Sequence, residues 1–278
     1  MSTTPPAAAW YPDPTGRFQQ RYWDGAQWTD NVATNGQTYT DPVGGAPRSA
    51  ADDTVPVGTD SASRVQQQVA KATGAAGGPA GGGSLFTEPI LVVNQKAKLI
   101  ELTNQYAVYD QAGNQLAGVQ EVGQSTAKKA LRLLSNVDQF LTHKLEIKDL
   151  NGTVLLQLTR PAKIMKSTLV VSGPQGHEIG KIVQQNMMGK IRFGLEAGGE
   201  QLGSINAENW RAWNFSIADA SGAEIARITK TWEGFGKAIF TTADNYVVQI
   251  HRPLEDPLRS LVVAAAVTVD TALKQDDK

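Results

Sequence analysis

Five stretches of the chain repeat one pattern, a turn that contains glycine followed by an alternating run. They read YDQAGNQLAGVQ, IKDLNGTVLLQL, SGPQGHEIGKIV, LEAGGEQLGSIN and IADASGAEIARI. Their turn glycines are Gly113, Gly152, Gly176, Gly199 and Gly222, and the last four stand 24, 23 and 23 residues apart. A period of that length with one glycine turn per unit predicts successive β-hairpins, because glycine takes the positive-φ backbone that a tight turn needs. RFGLEA, NFSIAD, EIARIT and YVVQIH alternate as strands with one wetter face do. Hairpins in such a row predict a closed barrel of about twelve strands, since closure removes exposed edges.

A barrel that wide is not filled by its own side chains. The chain supplies a filler near its end. Leu258–Leu273 is apolar nearly all the way round, the mark of a helix enclosed by protein or by lipid. Its length of about 24 Å falls short of the roughly 30 Å hydrocarbon core, and Asp270 interrupts it. Ala264, Ala265 and Ala266 let neighbouring strands come close, which a lipid-facing helix does not need. Burying its larger side chains contributes on the order of 10–20 kcal/mol as an upper bound, which rivals the roughly 5–15 kcal/mol net stability of a domain. On these grounds the buried-core reading is preferred to a membrane anchor. The expected fold is mainly β: a closed barrel around a hydrophobic C-terminal helix, with a small Trp-rich hairpin module in front.

That module is read over residues 10–36. Trp10, Tyr11, Tyr22, Trp23 and Trp28 crowd into a short segment, and Asp24-Gly25 lies between FQQRYW and AQWTDNV as a two-residue hairpin turn. With so little aliphatic content the aromatics must supply the buried area. The same five side chains are also the candidate partner-binding face, for a proline-rich peptide or a lipid interface. Residues 1–9 are expected to be disordered. Residues 37–84, ending GAAGGPAGGGS, read as a flexible linker with a span of about 35–40 Å. Within it TDSASRVQQQVAKATG suggests only a transient helix, since Val65 and Val69 offer little to dock. Residues 85–278 then form the barrel domain.

Composition excludes several classes. Lys+Arg 26 against Asp+Glu 27 gives a net charge of -1, which disfavours nucleic acid as a partner. The count of cysteines is zero, which removes disulfides, thiolate metal sites and cysteine nucleophiles and fits a reducing interior. MSTTPPAAAWYPDP has neither a basic nor a continuous apolar region of the secretory kind, so the expected location is cytoplasmic and not secreted. His143, His177 and His251 are far apart in sequence and have no ligand-spaced neighbours. GPQGHEIGK departs from a phosphate loop at Gln175 and Ile182 and reads as a hairpin turn. No catalytic residue is assigned, and no enzyme activity in the covalent sense is expected.

Two resemblances add to this reading. The module matches W-Y-x-D-P-x-G…R-Y-W-D-G-x-x-W-T through Trp10, Tyr11, Asp13, Pro14, Gly16, Arg21, Tyr22, Trp23, Asp24, Gly25, Trp28 and Thr29. It resembles a short bacterial domain of unknown function that often accompanies membrane-associated or envelope-related partners. Farther on, LEIKDLNGTVLLQLTRP, PQGHEIGKIVQ and FSIADASGAEIARITKTWEGFGKAIFTTADNYVVQIHRPLEDPLRSLVVAAAVTVD resemble the phospholipid scramblase family in order and spacing, and through it the tubby C-terminal domain. The specific pieces are Arg160-Pro161, Gly176 with Ile179-Gly180, Lys230 with Trp232 and Gly234, and the ADNY segment.

The resemblance implies a twelve-stranded barrel around a hydrophobic helix, and membrane binding with movement of phospholipid between leaflets. It implies a calcium segment at Asp244, Asn245, Glu255 and Asp256. Thr242 replaces one carboxylate of the family pattern, and calcium takes about six to eight oxygens. Calcium is the only cofactor suggested. The family's acylated cysteines are missing near AKIMKS. Lys163 and Lys166, with Lys128, Lys129 and Arg132, are therefore the candidates for lipid headgroups. The expected function is scramblase-like binding of anionic phospholipid or a membrane surface, with the N-terminal module recruiting a protein partner. The alternative is a soluble cytoplasmic adaptor without lipid activity.

Overall fold

The computed structural model describes residues 6–14, 18–34, 37–40, 55–58, 60–74, 81–95, 105–123, 142–161, 167–186, 191–208, 214–231 and 245–273. Twelve strands close into one antiparallel barrel: β5 (Ile90–Gln95), β6 (Gln105–Tyr109), β7 (Gln115–Val122), β8 (His143–Lys148), β9 (Val154–Arg160), β10 (Thr168–Ser172), β11 (Glu178–Gln184), β12 (Arg192–Ala197), β13 (Glu200–Ala207), β14 (Asn214–Asp219), β15 (Glu224–Thr231) and β16 (Asn245–Ile250). Each pairs with the next in sequence. The ring closes where β16 meets β5, with Val248 opposite Leu91.

The five predicted turn glycines all stand at the tips of hairpins. Gly113, Gly152, Gly176, Gly199 and Gly222 have φ of 93°, 86°, 82°, 85° and 84°, a region that costs any residue with a Cβ. Three of these turns begin with an aspartate whose Oδ1 accepts two backbone N–H groups. Asp110 binds Ala112 and Asn114, Asp149 binds Asn151 and Thr153, and Asp219 binds Ser221 and Ala223. In each the ladder shifts register just before the turn, the bulge such loops introduce.

Strand alternation sends Leu91, Val108, Val119, Ile147, Leu158, Val171, Leu195, Ile217, Ile228 and Val248 into the interior, where all belong to one core. The helix α2 (Leu258–Leu273) runs through that core, packed nearest to β9, β10, β11 and β16. Leu261 to Val267 are buried without interruption, so the helix is enclosed by protein on every side along this stretch. Gly180 makes room for it: a Cβ there would lie 3.2 Å from Leu261 Cδ1 and 2.5 Å from the Glu196 carbonyl oxygen.

The N-terminal sheet has four strands, β1 (Ala9–Pro12), β2 (Gln20–Trp23), β3 (Trp28–Thr34) and β4 (Gln37–Thr40), in that order. The module thus extends to Thr40 rather than to residue 36. Its centre is an ion pair, Arg21 Nε to Asp13 Oδ1 at 2.9 Å, with both side chains shielded from solvent. Arg21 also donates to the Thr29 carbonyl, and Asp13 Oδ2 accepts from the Phe18 N–H.

The expected linker also holds structure. Helix α1 (Ala62–Thr73) starts at Ser61, whose side chain accepts from the Arg64 N–H, and ends at Gly74 in the left-handed region. Val65 and Val69 are fully buried against Val92, Ala107, Tyr109 and Val247 on the outside of the barrel. Two valines suffice because the barrel's outer face is apolar at that point and because polar contacts flank the helix. Gln115 bonds to the Pro56 carbonyl and the Gly58 N–H, and Gln66 donates to the Ala112 carbonyl. Gly58 is needed here, since a Cβ would fall 1.6 Å from the Tyr109 hydroxyl.

Tyr109 fastens the start of this strap by donating to Asp60 Oδ2 at 3.3 Å. Burial first, and then the Asp60 carboxylate, push its hydroxyl up to about 12 from the ordinary 10.0. A value raised on folding favours the neutral phenol, so its contribution is complete below pH 10 and is lost as pH rises toward 12. In an ultraviolet titration one tyrosine should ionise near the top of that range and vanish in Tyr109→Phe. A difference curve centred near the ordinary value would count against this bond.

Candidate membrane and partner surfaces

Because the strands alternate in direction, β5, β7, β9, β11, β13 and β15 end on the rim where the strand after each begins. The tight aspartate and glycine turns lie on the opposite rim, which is also where α2 enters. The lipid candidates Lys128, Lys129 and Arg132 belong to the segment joining β7 to β8, and Lys163 and Lys166 to the one joining β9 to β10. These five residues lie outside the described structure. The strand ends that their segments join share a single rim.

At that rim the described interior turns polar. Glu121 and His143 follow the inward parity of Val119 and Leu145, and His143 Nδ1 is 2.5 Å from Glu121 Oε1. Arg160 stands opposite His143 across the β8–β9 ladder. Lys230 reaches over the ring of Tyr246 at 5.9 Å from its centroid. Sequence reasoning singled out Arg160 and Lys230 by resemblance only and read His143 as isolated. The strand parity of EVG and THKLEIK was a usable signal, but the pairing register that joins them across 22 residues was not visible.

The described calcium candidates stand at two places, one at each end of β16. Asp244 lies outside the described residues. Asn245 opens β16, is buried, and stands opposite Asn94. Glu255 and Asp256 follow the far end of that strand, beside the entry of α2. Asp256 serves the helix instead: its Oδ1 accepts from the N–H and hydroxyl of Ser260, and its Oδ2 pairs with Arg259. Burial works to raise the Asp256 carboxyl, but these hydrogen bonds outweigh it and hold the group below the usual range. Among the described residues no group of three or more acidic or histidine side chains is placed to hold a metal ion.

The five module aromatics divide between the two faces of the small sheet. Trp10 and Tyr22 pair edge-on at 5.4 Å on one face, with Trp10 more than a third exposed. Trp28 lies on the other face between Tyr11 and Trp23, at centroid distances of 6.2 and 5.3 Å. The chain just before β1, expected to be disordered, lies along this second cluster. The Trp23 indole N–H donates to the Pro6 carbonyl at 3.1 Å, and the Tyr11 hydroxyl donates to the Ala7 carbonyl at 2.9 Å.

Compared with known proteins, residues 73–273 match the family described as Scramblase, a span that takes in every barrel strand and α2. The chain belongs to the scramblase family. Residues 8–41 of this scramblase-family chain match a second family, described as a protein of unknown function (DUF2510), which coincides with the four-stranded module. The chain is 23% identical over 198 residues to altered inheritance rate of mitochondria protein 25 of Saccharomyces cerevisiae, covering 60% of this chain and 59% of that protein. It is 24% identical over 185 residues to a phospholipid scramblase family protein of Schizosaccharomyces pombe, covering 59% of this chain and 47% of that one. The match thus spans roughly half of each of these curated relatives. No solved structure matches the chain.

The scramblase match begins at Thr73, the last residue of α1, so nearly all of the strap that covers the outer valines precedes the family region. Of the motif residues, Gly176 forms a turn, Gly180 admits Leu261, and Arg160 and Lys230 border the polar rim. Trp232 and Gly234 lie outside the described residues. Among the described residues no helix is long and apolar enough to cross a membrane.

Proposed function

We propose that this scramblase-family barrel binds anionic phospholipid at a membrane surface and takes part in moving phospholipid between leaflets, by non-covalent handling of lipid at the barrel surface. The observation that carries this reading is the family match over the whole barrel and its helix, together with the printed description of the fission-yeast relative. The single rim shared by the strand ends that flank the lysine-bearing segments supports headgroup binding there. The N-terminal module recruits the barrel to a partner, and the protein works in the cytoplasm as a peripheral protein at the inner face of the plasma membrane.

The test is flotation of the full-length chain with vesicles of graded anionic content. Co-flotation should grow with the anionic fraction and weaken at high salt, since exposed charges are screened over about 10 Å at 0.1 M ionic strength. Lysines near a surface contribute about 1 kcal/mol each, so reversing Lys163 and Lys166 to glutamate should lower binding by at least tenfold. A chelator should leave flotation unchanged, because Asn245 and Asp256 stand at opposite ends of β16. A chain that floats with no vesicle composition would sink the lipid reading and favour the adaptor.

A further inference from the structure

The second aromatic face of the N-terminal sheet has a feature that packing alone does not require. Two donors on adjacent strands, the Tyr11 hydroxyl on β1 and the Trp23 indole N–H on β2, address successive backbone carbonyls of one segment, those of Ala7 and Pro6. Between the two donors stands Trp28, edge-on to both rings at 90° and 69°. The segment they hold reads Pro6-Ala7-Ala8, and these residues are solvent-exposed. Rings with polar tips, arranged side by side on a small antiparallel sheet, suit one kind of ligand. A polyproline II chain makes no internal hydrogen bonds, so its carbonyls are free to accept, and proline pre-sets its backbone angle at little entropic cost.

We infer that the Tyr11–Trp28–Trp23 face is a binding site for an extended proline-rich segment of a partner protein, and that Pro6 and Ala7 occupy it in cis. This rests on the reading of the module as a recruitment element and gives that element its ligand class. It is independent of the lipid reading of the barrel. The site selects for free carbonyls on an extended chain with small or ring-closed side chains. A helical or strand-forming peptide has its carbonyls engaged or its side chains too bulky to lie flat on the rings. The cis segment acts as a local competitor at high effective concentration, so a partner must displace it.

The experiment follows the Trp23 indole N–H resonance of the full-length chain as decaproline is added. It should shift and saturate, and it should do neither with a deca-alanine control that lacks proline's pre-set backbone. Deleting residues 1–8 should strengthen decaproline binding by roughly tenfold by removing the competitor. Tyr11→Phe keeps the ring but removes one donor, and in that shortened chain should weaken binding by about fivefold; in the full chain the competitor loses the same bond and the loss should be under about twofold. If the deletion disturbs the sheet, saturation by decaproline and not by deca-alanine in the full chain still decides. Equal binding by the shortened chain with and without Tyr11→Phe, or no shift at millimolar decaproline, overturns the inference. A shift with protein concentration alone would instead assign the face to a second copy's N-terminal segment. Module resonances that respond to anionic vesicles but not to decaproline would overturn the peptide and leave recruitment standing; silence to both would remove recruitment as well.

Discussion

The Val263→Asp chain is expected not to fold its barrel at all. Val263 is 1% exposed and lies in a run of buried α2 residues that are apolar throughout. A carboxylate placed there loses its water, and an uncompensated buried charge or a forced protonation costs several kcal/mol. A typical domain has only about 5–15 kcal/mol to lose. The milder Leu261→Ala should keep the fold but cost about 3 kcal/mol, because Leu261 fills the space left at Gly180 and its removal leaves a cavity. That corresponds to a fall in Tm of roughly 6–12 °C for a domain of this size. Thermal unfolding followed by far-ultraviolet circular dichroism measures both. The pair also separates a core helix from a membrane-seeking one. If α2 could leave the barrel for lipid, the barrel would have to tolerate its loss, and Leu261→Ala would leave Tm unchanged.

The second large effect is local. Arg21→Leu should unfold the N-terminal sheet while the barrel melts as before. The Arg21–Asp13 pair is shielded on both sides, and breaking one partner of a buried pair costs about 3–5 kcal/mol. A sheet of four short strands has little more than that, since small domains bury a lower fraction of their surface. Loss of the dispersed Trp10, Trp23 and Trp28 indole resonances would report the unfolding. Replacing Asp13 as well should recover part of it, because no lone charge is then buried. Should Arg21→Leu leave those three resonances in place, the pair is not what holds the module.

Those two variants probe parts of the chain that differ in how far they could be read in advance. Gly113, Gly152, Gly176, Gly199 and Gly222 declared themselves, because a positive φ within a tight turn is a property of one residue and its nearest neighbours. So did the interior strands, through alternation, and the enclosed helix, through a segment apolar on all sides yet too short to span a bilayer. The aromatic module was visible because a short segment with few aliphatic residues has few other ways to form a core, although its buried Arg21–Asp13 centre was not foreseen.

Other features depend on partners far away in the chain. Val65 and Val69 have no meaning until Val92, Tyr109 and Val247 are brought beside them by closure of β16 on β5, so a helix read as transient is docked. His143 meets Glu121 only through the β7–β8 register. Asn245 and Asp256 are near in sequence, and the family resemblance assigned them to one calcium segment, but β16 runs between them and Asp256 binds Ser260. Trp23 finds Pro6 across 17 residues because the pairing of β1 with β2 sets Trp23 opposite Ala9. By itself the sequence determined the turns, the strand faces and the apolar helix, since those follow from local dihedral and burial preferences. Which surfaces are covered, which charges meet and which donors face the same segment were decided by strand register and closure, which couple residues that no local preference connects.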